Sequence, residues 1–348
     1  MPSIRTGTGA DHEARLVTLS NGHLTAVLTD LGARLLELHV PDRDGRTVDV
    51  VLGRPDLTTA SADPAYMGAT AGRYANRIRR GRFHLHGTDH QVTVNEGENH
   101  LHGGRRGFDQ HGWTTELHPD DEGVTFSRVS VDGEEGFPGR LVAETRYRLD
   151  GSALEIAMTA TTDRPTLANI VHHSYFNLGG HDSGDVLDHV AQLHAGHYTP
   201  VDDELLPTGE ILAVAGTPFD FRTPTRLGEH HAEVHNTGAG RPTGSAGGFD
   251  HNWVLAGTGT RVVAVVADPR SGRRVTLSTN QPGLQLYTGG YLQDVTAKAP
   301  LSHYDAFAGF TLETQTFPDA ANVAHFPSAV LEPGTTYRNT MRLEFAAD

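Results

Sequence analysis

Two segments carry side chains that could take up and release protons in an apolar setting. In the first segment, apolar and polar side chains alternate with the period of a strand. Phe310 and Leu312 would face one side, and the other side would carry Thr311, Glu313 and Gln315. A carboxyl group bounded by apolar neighbours loses solvation, which raises its pKa and makes it a usable general base near neutral pH. The same pattern also fits a solvated glutamate on an outer face, so this window leaves both interpretations open.

The second segment surrounds His173, whose neighbours between 170 and 178 are mostly apolar or aromatic. Histidine has the side chain whose ordinary pKa lies nearest to neutrality, which makes it a candidate general acid. An isolated histidine in such a segment is also common as a buried core residue with satisfied hydrogen bonds. The segment alone does not separate these two roles.

A metal pair is suggested by His100 and His102, which are two residues apart and would share one face of a strand. In cupin jelly rolls, a pair of this kind is followed closely by a glutamate ligand. Here the sequence from Gly103 to Gly107 supplies glycines and arginines instead, and the chain has no cysteine. We therefore predict no metal site.

Signatures of nucleotide cofactors and serine nucleophiles are missing from the sequence. Gly7-Thr-Gly9 lacks the later glycine of a dinucleotide site, and no Gly-Lys-Ser/Thr phosphate loop or Gly-x-Ser-x-Gly elbow occurs. We predict that the protein uses no cofactor.

Several segments instead combine hydroxyl-reading polar groups with aromatic rings, here Phe176, Trp253 and Tyr287. A pyranose offers apolar C–H faces to such rings and a belt of hydroxyls to Asn, Gln, Arg, Asp and His. This mixture predicts a small monosaccharide as the partner, and an acidic protein suits a neutral substrate.

Strand-like alternation also sets the fold class. Thr145, Tyr147 and Leu149 alternate with charged residues, and the same period recurs around Ile156 and Leu343. Dense turn signals separate short strands, which predicts an all-β antiparallel sandwich or barrel. Residues 237–248 resemble a linker, but strand patterns lie on both sides, so we interpret them as a surface loop and predict one domain over residues 1–348.

Charge and hydropathy exclude further classes. The 348 residues carry a formal net charge of −15, which disfavours nucleic acid as a partner. No apolar run is long enough to span a membrane, and the first residues lack the plan of a secretory signal. We predict a soluble, cytoplasmic protein, whereas the oligomeric state cannot be predicted from the sequence.

Taken in order, the polar segments resemble the aldose 1-epimerases (galactose mutarotases) over about residues 31–345. The resemblance is carried by Ala75-Asn-Arg-Ile78, Leu101-His-Gly-Gly104, His173-Ser-Tyr-Phe-Asn177, Phe249-Asp-His-Asn252, Gln285 with Tyr287-Thr-Gly289, and Leu312-Glu-Thr-Gln315. It implies a large antiparallel β-sandwich with a sugar groove on one sheet, and interconversion of the α and β anomers of free hexoses without a cofactor.

The resemblance also implies roles for individual residues. Glu313 would be the general base and His173, as imidazolium, the general acid. The residues expected around the sugar are Asn76, Arg77, His102, Asp250 and Gln285.

Three positions depart from the family pattern, namely His172, Phe137 and Gly290, where relatives usually carry Asn, Tyr and Asn. Since His172 alternates with His173, we expect it to face away from the site. The departures put the sugar preference in question more than the reaction type.

Three alternatives remain at this point. A glycoside hydrolase would use Glu313 and Asp250 as a carboxylate pair on either side of the anomeric carbon. A non-catalytic carbohydrate-binding protein would keep the groove without the reaction, although binding alone needs neither Glu313 nor His173. A phosphorylated sugar is less well supported, because Arg77 is the one clear cation in the segments.

Overall fold

Short antiparallel strands make up most of the structure, a computed structural model that describes residues 3–8, 13–60, 63–234 and 247–348. The strands in chain order are β1 (Ser3–Thr8), β2 (Glu13–Ser20), β3 (Thr25–Thr29), β4 (Arg34–Pro41), β5 (Thr47–Asp49), β6 (Ala69–Ala71), β7 (Arg77–Ile78), β8 (Arg82–Leu85), β9 (Thr88–Gln91), β10 (His100–Leu101), β11 (Thr114–His118), β12 (Gly123–Ser130), β13 (Leu141–Asp150), β14 (Ala153–Thr162), β15 (Thr166–Leu167), β16 (Val171–His173), β17 (Tyr175–Phe176), β18 (Val190–Leu193), β19 (Ala195–Thr199), β20 (Leu212–Ala213), β21 (Thr225–Arg226), β22 (Asp250–Leu255), β23 (Arg261–Ala267), β24 (Arg273–Thr279), β25 (Gly283–Tyr287), β26 (Val295–Thr296), β27 (His303–Tyr304), β28 (Phe310–Gln315), β29 (Val330–Leu331) and β30 (Tyr337–Ala347).

Helical structure is scarce in the described residues. The α-helix is the single turn α1 (Leu57–Ala60), and the 3-10 turns are Arg79–Gly81, Phe108–Gln110, Pro119–Asp121, Glu134–Gly136 and His231–Glu233. Within the described ranges, no helix has the length and apolar character needed to cross a membrane. The cytoplasmic location stays a prediction.

Three large sheets enclose the core. Their strand orders are β11-β12-β13-β14-β30-β24-β23-β18-β21, β17-β28-β25-β22-β19-β20 and β1-β2-β3-β4-β5. One cluster of buried side chains joins them, with Ile156 and Leu343 from the first sheet, Leu286 and Leu312 from the second and Leu28 from the third. Burial of this apolar surface between sheet faces stabilises the fold, at about 25 cal/mol per Å² removed from water. The predicted all-β antiparallel sandwich is confirmed.

The hairpin of β13 and β14 shows how local sequence produces this architecture. Residues of β13 alternate between buried and more exposed positions, with Tyr147 fully buried. Gly151 turns the chain with a φ of 58°, a conformation that glycine adopts without strain. Buried and more exposed residues also alternate along β14 and β30, so the alternation predicted for the three strands is confirmed.

The prediction of a single domain over residues 1–348 stays a prediction. Most of the linker-like segment 237–248 lies outside the described residues, which resume at Gly247.

Candidate active site

The six-stranded sheet has one apolar and one polar face, because side chains alternate along each strand. Its register pairs Asp250 with Tyr287, and Gln285 with Glu313 across β25 and β28. These residues therefore share the polar face, while neighbours such as Leu312 belong to the core cluster. The pattern read from the sequence for Glu313 thus corresponds to a face that is polar but buried, since Glu313 is 2% exposed.

Glu313 lines a cavity of about 300 Å³. Thr311 donates its hydroxyl hydrogen to Oε1 of Glu313 at 2.9 Å. Among the described residues, Oε2 of Glu313 is buried without a hydrogen-bond partner. A buried carboxylate oxygen without a partner is costly, so this atom is a candidate for contact with a ligand.

His173 ends strand β16, which pairs with β6 rather than with the six-stranded sheet. Its Nε2 atom lies 3.6 Å from Oε1 of Glu313, and the side chain is buried on the cavity wall. The Tyr66 ring packs against His173, with ring centroids 5.9 Å apart. Two segments distant in sequence therefore bring an imidazole and a carboxyl group to one point.

Burial favours the uncharged form of both Glu313 and His173. It raises the pKa of Glu313 to about 8, with the charge of Asp250 acting in the same direction and the Thr311 hydrogen bond opposing it. It lowers the pKa of His173 to about 4. Both directions favour uncharged groups at neutral pH, with the titrating proton on Glu313 rather than on His173. The imidazolium form predicted for His173 is not favoured in the free protein.

Asn76 and Arg77 reach the cavity from a turn. Asn76 has a φ of 63°, a left-handed conformation that asparagine tolerates better than most residues, and its Oδ1 accepts the backbone N–H of Arg77 at 2.8 Å. The Arg77 guanidinium donates to both carboxylate oxygens of Glu96, at 2.6 and 2.7 Å. This two-pronged ion pair fixes the guanidinium beside the cavity.

His102 lies on the same wall and contacts His173 edge to face, with ring centroids 5.1 Å apart. Its Nδ1 atom accepts the backbone N–H of Asn76 at 3.3 Å. A neutral imidazole that accepts at Nδ1 carries its proton on Nε2, so His102 is a hydrogen-bond donor for a ligand oxygen.

The expected pairing of His100 with His102 on one strand face is wrong. Strand β10 ends at Leu101, and His102 has a φ of 49°, so the chain turns between the two histidines. His100 instead is buried away from the cavity, where its Nδ1 contacts the Thr93 carbonyl oxygen at 2.7 Å. Strand alternation does not extend across such a turn.

A different trio could hold a metal ion. Within the described residues, His102, His173 and Glu313 each offer one ligand atom, and these atoms lie within 4.8 Å of one another. The prediction of no metal stays a prediction.

Asp250 and Gln285 share the polar face and lie on the neighbouring strands β22 and β25. Asp250 lines the cavity, and Nε2 of Gln285 donates to its Oδ1 at 2.8 Å. Gln285 is 3% exposed and is not among the residues that line the cavity. The structure therefore brings six of the seven predicted site residues to the cavity wall and places Gln285 in support of one of them.

The aromatic wall was only partly predicted. Trp253 and Phe176 belong to the core cluster, while Tyr287 lines the cavity together with Tyr66, Tyr175 and Tyr291. Strand alternation could have identified Tyr175, because it shares a face with His173 two residues before it and Phe176 does not. Nothing in the local pattern pointed to Tyr66.

The sequence comparisons agree with this geometry. The family model for aldose 1-epimerase matches residues 15–344. Galactose mutarotase from Bos taurus is 42% identical over 329 residues, which cover 94% of this chain and 93% of that protein. Aldose 1-epimerase from Escherichia coli (strain K12) is 34% identical over 340 residues, 96% of each chain. The chain belongs to the aldose 1-epimerase family.

Solved structures extend the likeness to the fold. An aldose epimerase homologue from C. elegans superimposes with a TM-score of 0.87 at 30% identity, over 99% of both chains. Galactose 1-epimerase from Lactobacillus acidophilus NCFM gives a TM-score of 0.85 at 28% identity, over 100% of this chain and 99% of that one. The predicted family and the predicted aldose 1-epimerase activity, an isomerase activity, are confirmed.

The three departures from the aldose 1-epimerase pattern lie off the cavity wall. His172 faces the core as expected, with Nδ1 3.2 Å from the Tyr147 hydroxyl, and Phe137 is buried elsewhere. At Gly290 an added Cβ would lie 1.9 Å from the Gly247 carbonyl oxygen, so the backbone leaves no room for a side chain. Their effect on sugar preference stays a prediction.

The hydrolase alternative needs Asp250 and Glu313 as a pair. Strand β25 lies between the strands that carry these two residues. Tyr287 of β25 pairs with Asp250 on one side and with Thr311 on the other, and Thr311 is two residues from Glu313. Strand spacings put the two Cα atoms about 12 Å apart. The close partner of Glu313 is His173, so the arrangement favours the epimerase.

Proposed function

We propose that the protein interconverts the α and β anomers of free hexoses such as glucose and galactose, with Glu313 as the general base and His173 as the general acid. The observation that carries this proposal is the 3.6 Å separation of His173 Nε2 and Glu313 Oε1 on the wall of one cavity. Support for the hexose comes from the names of the relatives, galactose mutarotase and aldose 1-epimerase.

The chemistry of a hemiacetal requires one base and one acid. The C1 hydroxyl must lose its proton while the ring oxygen gains one, so that the C1–O5 bond can break. In the proposal, Glu313 takes the C1 proton and His173 protonates O5. The open aldehyde rotates about C1–C2, and the two groups exchange roles when the ring closes on the other face of C1.

The proton count of the free protein supports this scheme. The neutral pair of Glu313 and His173 holds one proton, the same number as a carboxylate with an imidazolium. Sugar hydroxyls that donate to the carboxylate stabilise its charged form and lower its pKa. In the sugar complex, we propose that the proton moves to His173, which then carries it to O5.

The other wall residues orient the ring. His102, as a donor at Nε2, and Arg77 are proposed to contact O5 and a neighbouring hydroxyl, with Asn76 beside them. Asp250 is proposed to anchor a hydroxyl remote from C1. The tyrosine rings of the wall supply the apolar surface that a sugar C–H face requires.

The test is polarimetry of freshly dissolved α-glucose and α-galactose with Glu313→Gln. This substitution keeps the volume and removes the base, so we expect loss of most of the catalysed rate. A variant that equilibrates the anomers at near-normal rate would refute the assignment. Arabinose and xylose in the same assay measure the range of aldoses accepted.

A further inference from the structure

A series of amide hydrogen bonds connects Gln315 to Asp250 along the polar face of the six-stranded sheet. Nε2 of Gln315 donates to Oδ1 of Asn252 at 3.2 Å and to Oε1 of Gln285 at 3.0 Å. Nε2 of Gln285 then donates to Oδ1 of Asp250 at 2.8 Å. Gln315, Asn252 and Gln285 are 0%, 1% and 3% exposed, and of these four residues Asp250 alone lines the cavity.

The donors and acceptors of this series allow one orientation of the Gln285 amide. Its oxygen accepts from Gln315, so its NH₂ group faces Asp250. The reversed amide would place two NH₂ groups together at Gln315 and an amide oxygen against the Asp250 carboxylate. Because these groups are buried, water would not compensate such pairs, and Oε1 of Gln315 and Nδ2 of Asn252 are already without a hydrogen-bond partner among the described residues. Gln315 as donor and the Asp250 carboxylate as acceptor thus together hold the Gln285 amide in this orientation.

The register of strands β25 and β28 leaves space for these hydrogen-bonded side chains. Gly283 lies opposite Gln315 in the pairing of β25 with β28. A Cβ atom at Gly283 would lie 2.3 Å from Oδ1 of Asn252. The absence of a side chain at Gly283 therefore lets Gln315 reach across β25 to Asn252 on β22.

We propose that Gln315 is a positioning residue for the sugar: it fixes the amide of Gln285, which in turn orients the Asp250 carboxylate toward a substrate hydroxyl. This inference rests on the proposed role of Asp250. The contact is remote from C1, so it contributes equally to ground-state and transition-state binding. We call the hydrogen bonds from Gln315 through Gln285 to Asp250 the relay. Loss of the relay should raise KM and leave kcat nearly unchanged.

The first measurement compares Gln315→Met with the wild-type protein in steady-state mutarotation of galactose and glucose. We expect KM to rise about tenfold, as for one lost hydrogen bond in a buried site, with kcat within about twofold. The matched control is Gln281→Met. Gln281 is a buried glutamine that donates to the Arg338 carbonyl oxygen outside the relay, so KM should stay at the wild-type value.

The second variant, Gln315→Glu, separates hydrogen bonding from packing. The introduced carboxyl group can donate to Gln285 only while it is protonated. We therefore expect the ratio of its KM to the wild-type KM to be near one at acidic pH and to increase as the pH rises. Gln281→Glu is the control for burial of the charge itself, because it introduces a carboxyl group at a buried glutamine outside this hydrogen-bond series, and its KM should not show this pH dependence.

A double-mutant cycle tests the order of the relay. If Gln315 acts through Gln285, the pair Gln315→Met with Gln285→Met should raise KM no more than Gln285→Met alone, whereas additive effects would overturn the relay. Wild-type KM in both Gln315 variants, with a raised KM in Asp250→Asn, would also overturn it and leave the proposed function standing. Wild-type KM in Asp250→Asn would remove the role of Asp250 and the relay together, while the Glu313→Gln assay tests the reaction itself.

Discussion

Nε2 of His173 lies 3.6 Å from Oε1 of Glu313, although the strands that carry them belong to different sheets. The separation is slightly longer than a hydrogen bond. It leaves each group able to contact a different oxygen of a bound sugar rather than committing both to each other. The activity should therefore depend on both side chains.

Replacement of His173 by Gln should lower kcat by between about 10²- and 10⁴-fold, because the proton donor for O5 is lost. His172→Asn is the matched control, since His172 is the adjacent histidine and faces the core. Polarimetric rates at saturating galactose measure both. Equal losses in the two variants would contradict the assignment of His173.

The pH dependence of kcat/KM should be bell-shaped, with limbs near the pKa values of about 4 and about 8 of the free protein. Between them the pair holds one proton. Below the lower pKa, His173 also binds a proton and no base remains, whereas above the higher pKa, Glu313 loses its proton and no acid remains. Initial rates in overlapping buffers, corrected for the uncatalysed reaction, give the profile. A single limb would contradict the shared-proton scheme.

Thr311→Val should move the alkaline limb to higher pH, by about half a unit to one unit. The Thr311 hydroxyl stabilises the charged carboxylate of Glu313, and its removal raises the pKa further. Thr311→Ser keeps the hydroxyl and should keep the limb in place. A limb that is unchanged in Thr311→Val would show that the hydrogen bond does not set the proton affinity of Glu313.

Treatment with EDTA followed by dialysis should leave kcat/KM unchanged. An ion bound by His102, His173 and Glu313 would occupy the atoms that the proposed proton transfers need. Metal analysis of the purified protein accompanies the assay. Loss of activity that added Zn²⁺ or Mn²⁺ restores would replace the proton-transfer scheme by a metal-dependent one.

The sequence pattern did not predict which residues support the side chains of the cavity wall. Gln285 donates to Asp250 and its contact with the sugar stays a prediction, and Tyr66 reaches the histidines from a loop without any regular pattern. Whether a buried side chain on this face reaches the cavity depends on the register of three strands and on the segments that cover them. The alternation of side chains along one strand carries no information on the register or on the neighbouring segments.

Local alternation in the sequence determined that the chain forms antiparallel strands and which side chains share a face, because successive residues of a strand point to opposite sides. It therefore placed Glu313 with Gln315 and His172 away from His173. Where the backbone turns, as between His100 and His102, the same rule gave a wrong pair. Only the tertiary structure decided that Glu313 and His173 meet in one cavity, because their proximity depends on the packing of β16 against β28, which are 137 residues apart at their nearest ends.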